Sequence, residues 1–199
     1  MSSRLPSYTG VTPPVPLEIL RHPKFRRCVG VVKLRSQLAC DIACLLDFDE
    51  SVSSWACQSQ NFQYGLDTYR PDFVAEREHE ILVMDVMSRR PAPAWIGSAV
   101  THQGFKYQEV TRGDVDPIRL KNCKDLIHYA GREVTLGDRV RLMAALEHEG
   151  TLSVADCLTL FRENRPIEGL ANMALERFVS LDLDTALIGP ETSVRKFSS

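Results

Sequence analysis

Two aspartates stand where a metal-dependent hydrolase would use them. Asp72 follows Pro71 at the end of a predicted hairpin, and Asp85 lies within the apolar run of residues 81–87. Carboxylate oxygens are the hard ligands that Mg²⁺ prefers, and a metal with a positioned water can hydrolyse a phosphodiester. The pair predicts a relic metal site formed by Asp72 and Asp85, at which Mg²⁺ binding is weak or lost because two carboxylates alone bind it weakly. The alternative is structural, with Asp72 capping a turn and Asp85 paired with an arginine.

The residues around these aspartates alternate between helical and β-type patterns. Apolar residues recur at helical spacing over residues 34–46, and Ser36 suits an N-cap. Two β-rich runs around Gly65 predict a hairpin. The predicted elements are a helix at 34–46, strands at 55–64, 68–75 and 81–87, a helix at 94–103, a strand at 105–111 and a helix at 114–130. This order predicts an α/β fold around a mixed sheet.

The C-terminal third has a different organisation. Gly131 marks a boundary, and helices are predicted at 135–149, 154–162 and from 166 to about 180. Two short strands are predicted at 181–183 and 186–189. Three helices followed by a β-ribbon is the order of a winged-helix domain, which we favour over a three-helix cap on the first domain.

Composition bounds the class of protein. The 199 residues are 44% hydrophobic and 25% charged, and 24 basic residues face 26 acidic ones, for a net charge of −2. This balance excludes a free-standing basic DNA coat. No apolar run approaches the about 20 residues that span a membrane, which predicts no membrane association. The six cysteines contain no Cys-x-x-Cys pair, which predicts buried thiols in a reducing cytoplasm.

A proline-rich arm covers residues 1–30, and basic residues cluster at its end. They predict either a phosphate-contacting arm or a solvated basic turn. Further basic residues precede the first helix or follow residue 87, where they could approach a phosphate. The predicted DNA-binding set is Arg21, Lys24, Arg26, Arg27, Lys33, Arg35, Arg89 and Arg90.

Several of these segments, in this order and spacing, resemble one family. The chain resembles the TnsA-type transposon endonucleases. The resemblance covers about residue 35 to the C-terminus and rests on residues 40–49, Val52, Gln58, 69–73, 104–111, 120–122, Leu126 and Tyr129. It implies a PD-(D/E)xK restriction-endonuclease-like core at 31–131 and a winged-helix-like C-terminal domain at 132–199, after the arm at 1–30. It also implies protein partners, a DDE transposase and an AAA+ regulator.

The resemblance assigns catalytic positions that this chain fills only in part. Asp72 and Asp85 occupy the two acidic positions. Met87 occupies the lysine position, and a methionine side chain carries no charge and donates no hydrogen bond. Ala39 occupies the position of the helix glutamate, and Asp41 lies about 200° around the helix from it. A lysine or arginine that has moved could still serve, and Lys33, Lys106 and Arg89 are the candidates.

Three functions follow as hypotheses. The first is a catalytically degenerate, TnsA-like DNA-binding or architectural subunit of a transposition or recombination complex, without a cofactor. The second is an active Mg²⁺-dependent endonuclease with a relocated catalytic residue. The third is a protein–protein adaptor or transcriptional accessory that makes no DNA contact. A homodimer would suit a pair of DNA ends.

Overall fold

The computed structural model describes residues 24–87 and 91–198. Within these ranges the helices are α1 Gln37–Phe48, α2 Ile96–His102, α3 Pro117–Ile127, α4 Leu136–Glu149, α5 Val154–Thr159 and α6 Pro166–Leu175. The strands are β1 Val52–Cys57, β2 Phe62–Tyr64, β3 Asp67–Tyr69, β4 Phe73–Arg77, β5 Glu80–Val86, β6 Lys106–Val110, β7 Thr151–Ser153, β8 Val179–Leu181 and β9 Ser193–Lys196. None of the described helices is long and apolar enough to cross a membrane.

A four-stranded mixed sheet carries the N-terminal part of the fold. Its order is β1-β4-β5-β6, with β1, β4 and β5 antiparallel and β6 parallel to β5. The parallel pairing requires a crossover, which α2 provides. Helix α1 begins where Ser36 Oγ accepts the Ala39 N–H at 3.1 Å, so the predicted N-cap is confirmed. The predicted α/β fold around a mixed sheet is confirmed.

The long predicted hairpin is divided into two parts. Its inner part is the β1–β4 pair, which ends with Cys57 opposite Phe73. Gln58 then adopts a left-handed φ of 47°, and the chain leaves the sheet. Its outer part is the separate β2–β3 ribbon, in which Tyr64 pairs with Asp67 across a two-residue turn. The predicted turn at Gly65 is confirmed, and its φ of 60° explains the glycine.

The C-terminal part combines helices with a three-stranded sheet of order β7-β9-β8. Helix α6 ends at Leu175 and not near residue 180, because Arg177 takes a left-handed φ of 58° and β8 begins two residues later. The predicted strand at 186–189 was wrong, since β9 starts at Ser193. The buried Asn122 explains the difference: its amide binds the Leu183 and Ala186 carbonyls and the Ile188 N–H at 2.8–3.0 Å. These contacts hold the segment as a loop.

The hydrophobic core crosses the boundary that was predicted at Gly131. Leu120, Cys123 and Leu126 of α3 pack in one cluster with Leu142 and Leu170 of the C-terminal helices. A second cluster lies between α1 and the mixed sheet, around Trp55 and Phe73. Four of the six cysteines are buried and the other two are half-buried, and all six are free thiols.

Asp138 is the polar centre of the C-terminal part. Its carboxylate, which is 1% exposed, accepts the Arg162, Glu163 and Asn164 N–H groups at 2.7–3.4 Å and also pairs with Arg141. Burial alone raises the pKa of Asp138, but these donors outweigh it and lower the pKa from 3.8 to about 2. The carboxylate therefore fixes the α5–α6 connection to the start of α4.

We expect Asp138→Asn to destabilise the protein by about 2–3 kcal/mol, because an amide cannot accept all of these hydrogen bonds. The stabilisation by Asp138 is complete above pH 3.8 and is lost as the pH falls towards 2. Urea unfolding at pH 7 and at pH 3 should therefore show a smaller gap between variant and wild type at pH 3. Asp125→Asn removes an exposed partner of Lys121 and serves as the control; an equal effect of both substitutions would contradict the assignment.

Candidate functional site

The sheet brings Asp72 and Asp85 together. Asp72 directly precedes β4 and Asp85 lies near the end of β5, and the Phe73–Met84 pairing sets them side by side. The Asp72 N–H donates to Asp85 Oδ1 at 3.2 Å, and the Val86 N–H donates to Asp72 Oδ2 at 2.9 Å. The two side chains are buried, with residue exposures of 8% and 2%. Each carboxylate thus binds the backbone beside the other.

Two tyrosines complete the surroundings of Asp85. The Tyr69 hydroxyl, from β3, donates to Asp85 Oδ1 at 2.9 Å, and the Tyr107 hydroxyl, from β6, donates to Oδ2 at 2.9 Å. Burial and the neighbouring carboxylate raise the pKa of both phenols well above its usual range. Both tyrosines therefore stay protonated and act as donors. Both oxygens of Asp85 are occupied within the protein.

Sequence reasoning did not find the tyrosines. Tyr107 reaches Asp85 because β5 and β6 are parallel with Val83 beside Tyr107 and Asp85 beside Glu109. That register depends on the crossover and is not encoded in either strand alone. Tyr69 lies three residues before Asp72 in the hairpin, and this spacing was the one available signal.

Asp72 is less completely satisfied than Asp85. Its Oδ1 atom is buried and accepts no hydrogen bond, although Arg35 Nη1 lies 3.3 Å away as an ion-pair partner. Burial raises the pKa of Asp72, and the Val86 N–H and the Arg35 charge offset part of that rise. Arg35 is 46% exposed and also donates to the Arg70 carbonyl at 3.1 Å. It is the cation that this site holds.

The positions assigned to a lysine and a glutamate supply no ligand. Met87 directly follows β5, and its N–H donates to the Val110 carbonyl of β6 at 2.9 Å. Ala39 is 1% exposed in the core between α1 and the sheet. Asp41 is also buried, but its carboxylate pairs with Arg112 at 2.5 Å and Lys124 at 2.6 Å. Burial raises the pKa of Asp41, and these partners outweigh it and lower the pKa. The Asp41 carboxylate is therefore already ion-paired with Arg112 and with Lys124 of α3.

Most oxygens of the acid pair already accept hydrogen bonds. Both oxygens of Asp85 accept phenolic hydroxyls, and Asp72 Oδ2 accepts the Val86 N–H. The remaining oxygen, Asp72 Oδ1, accepts no hydrogen bond and pairs with Arg35. Within residues 24–87 and 91–198, no three His, Cys, Asp or Glu side chains form a metal-binding group.

The candidates for a relocated cation have separate positions. Lys106 pairs with Glu80 at the far end of β5. Lys33 is exposed, and its carbonyl accepts the Gln58 side-chain N–H at 3.2 Å beside the site. Within the described ranges, Arg35 is the one basic side chain that pairs with Asp72. Arg89 and Arg90 lie outside the described residues, as does Arg21.

The described end of the arm is packed onto the body of the protein. Arg26 pairs with Glu176 at 2.7 Å. Arg27 donates to the carbonyls of Asp47 at 2.7 Å and Leu175 at 3.1 Å, and burial lowers its pKa to about 10. Both guanidinium groups therefore hold the arm in place, whereas Lys24 is exposed. Arg35, which pairs with Asp72, is exposed, and so is Lys33, two residues before it.

A scan against protein-family models finds no family that matches this chain, and a search of curated proteins finds no relative. The fold and the site define a mixed α/β protein with a buried aspartate pair. Two tyrosine hydroxyls donate to one aspartate, and an arginine pairs with the other.

Removing the Asp85 carboxylate should affect stability strongly. We expect Asp85→Ala to cost about 2–4 kcal/mol, because two buried phenols and the Asp72 N–H lose their acceptor. Tyr69→Phe and Tyr107→Phe should each cost about 1–3 kcal/mol, since the buried Asp85 carboxylate loses one hydroxyl donor. Urea unfolding measures each value, with the exposed Asp67→Ala as the control. A cost for Asp85→Ala no greater than that of the control would show that the network carries no stabilisation.

Proposed function

We propose that this chain is a catalytically degenerate, TnsA-like protein with a PD-(D/E)xK core. It would bind DNA as an architectural or accessory subunit of a transposition or recombination complex. The observation that carries the proposal is that Asp85, which lies beside Asp72 on the adjacent strand, accepts hydrogen bonds from Tyr69 and Tyr107. Both oxygens of Asp85 accept hydrogen bonds within the protein, so Asp85 needs no metal ion to satisfy them.

The topology supports the nuclease-like core. A helix precedes three antiparallel strands, and a crossover helix leads to a strand parallel to the third. The proline–aspartate turn and the second acid lie on adjacent strands of that sheet. This is the layout that the resemblance predicts, with the exposed Lys33 and Arg35 beside the acid pair as phosphate contacts.

The C-terminal part supports a role in protein docking. Its order of helix, strand, two helices and two strands is compatible with the winged helix that the resemblance implies. The loop between β8 and β9, which would be the wing, carries Asp182, Asp184 and Glu191, and acids there repel a phosphate backbone. Leu136 and Val140 on α4 are 73% and 56% exposed. Exposed apolar side chains on a helix suit a protein partner such as a transposase or AAA+ regulator.

A second candidate is an active endonuclease that uses the same acid pair. The observation in its favour is the buried Asp72 Oδ1, which accepts no hydrogen bond although Arg35 lies 3.3 Å away. A buried acceptor without a partner is costly and is common at sites kept for chemistry. A homodimer is compatible with either candidate.

The test is incubation of the purified protein with supercoiled plasmid in Mg²⁺ or Mn²⁺, with gel retardation in parallel. We expect retardation and no cleavage. Cleavage that is lost in Asp72→Asn/Asp85→Asn, with the circular dichroism spectrum retained, would establish the second candidate. Absence of retardation at low salt would contradict DNA binding and leave an adaptor role.

The exposed cations provide a sharper measurement. We expect Lys33→Ala/Arg35→Ala to weaken DNA binding about tenfold at moderate salt and to reduce the slope of log K against log salt by about 2, because two phosphate contacts are lost. Arg132→Ala/Arg165→Ala is the control with the same charge change, since both arginines lie near Glu168 in the C-terminal part. Equal weakening by both pairs would show that binding follows net charge and not this surface.

A further inference from the structure

The tip of the β2–β3 ribbon presents apolar side chains to solvent. Leu66, in the two-residue turn, is fully exposed, and Tyr64 beside it is 65% exposed. Turns of this kind favour glycine, asparagine and aspartate, so a leucine at the tip is not explained by turn formation. The Tyr64 ring stacks on Trp95 with centroids 5.7 Å apart and an interplanar angle of 18°. The tip is thus an apolar projection with an aromatic side.

The base of the ribbon is firmly anchored. Phe62 is completely buried in a cluster with Val83, Ile96 and Val100. At the other strand, Tyr69 binds Asp85, and Arg70 Nε donates to Asn61 Oδ1 at 2.7 Å. An anchored hairpin presents its tip in one orientation and loses little entropy when the tip binds. The aspartate–tyrosine network therefore also positions the ribbon.

The surface that surrounds the tip suits a nucleic acid. Exposed uncharged polar residues line the ribbon, namely Asn61, Gln63 and Thr68. Exposed basic residues, Lys33, Arg35 and Arg70, lie at its base, where Gln58 contacts the Lys33 carbonyl and Arg35 contacts the Arg70 carbonyl. One acid, Asp67, opposes them within the ribbon. Amides, cations and an apolar wedge are the set by which proteins enter the minor groove and unstack a base step.

We propose that the β2–β3 ribbon is a DNA wedge. Leu66 enters a base step from the minor groove, the ribbon amides contact base edges, and Lys33, Arg35 and Arg70 hold the flanking phosphates. The wedge rests on the proposed DNA binding and adds a distortion of the duplex. Such a distortion suits an architectural subunit, because a bent or unwound end is easier for a partner enzyme to act on.

The test measures unwinding, which needs no knowledge of a preferred sequence. Closed circular plasmid is relaxed by a type I topoisomerase in the presence of the full chain, then deproteinised, and its topoisomers are resolved on a gel. The variant is Leu66→Ser. The matched control is Ile167→Ser, which removes an aliphatic side chain of the same size that is 57% exposed on α6. Proteins are compared at concentrations that give equal gel retardation.

We expect wild type and Ile167→Ser to lower the mean linking number, and Leu66→Ser to shift it at least about threefold less, because unstacking by the inserted side chain unwinds the duplex. Equal shifts for wild type and Leu66→Ser, or no shift despite retardation, would overturn the wedge and leave DNA binding intact. Loss of self-association in Leu66→Ser with unchanged DNA behaviour would assign the tip to protein contact and overturn the wedge. Absence of retardation by wild type would overturn the proposed DNA binding and the wedge together.

Discussion

The buried carboxylate of Asp47 organises the N-terminal part of the molecule. It is 1% exposed and accepts the Arg26 N–H at 2.8 Å, the Arg27 N–H at 3.0 Å and the Trp55 indole N–H at 3.0 Å. A buried charge is tolerated only when such donors replace water. Because these donors belong to the arm and to β1, the Asp47 carboxylate at the end of α1 holds both segments in place. The arm in turn sets the path of the residues that reach Lys33 and Arg35.

The same requirement has a different outcome at the acid pair. Asp85 accepts two phenolic hydroxyls and one backbone N–H, so its charge is spread over neutral donors. Asp72 has one strong backbone donor and an ion pair with a half-exposed arginine, and burial raises its pKa. Two adjacent carboxylates repel, and their separate sets of partners allow them to coexist.

Local signals in the sequence predicted the elements well. Ser36 and Thr135 cap the predicted helices, and Gly65 forms the predicted turn, because caps and turns depend on a few adjacent residues. The errors lie where distant residues decide. The loop around residue 186 follows from its hydrogen bonds to Asn122, more than sixty positions away. The early end of α6 follows from Arg177, whose guanidinium donates to the distant Asp49 carbonyl.

The candidate site follows the same division. The sequence predicted that Asp72 and Asp85 meet, because a hairpin and the next strand bring neighbouring segments together. It also indicated the absence of a charged residue at 87 and 39. The tyrosine partners depend on the parallel register of β5 and β6 and on the bend at Gln58. The sequence of either strand alone does not specify this register.

Helix α3 makes the two parts of the chain mechanically continuous. Lys124 on its surface pairs with Asp41 of α1, its buried Leu120 and Cys123 lie in the C-terminal core, and its Asn122 holds the loop between β8 and β9. Arg27 and Arg177 add contacts to the carbonyls of Leu175 and Asp49 across the same junction. Packed cores transmit displacement because they have few voids. The mixed sheet that holds the β2–β3 ribbon and the helix α4 are therefore joined through the packed contacts of α1 and α3.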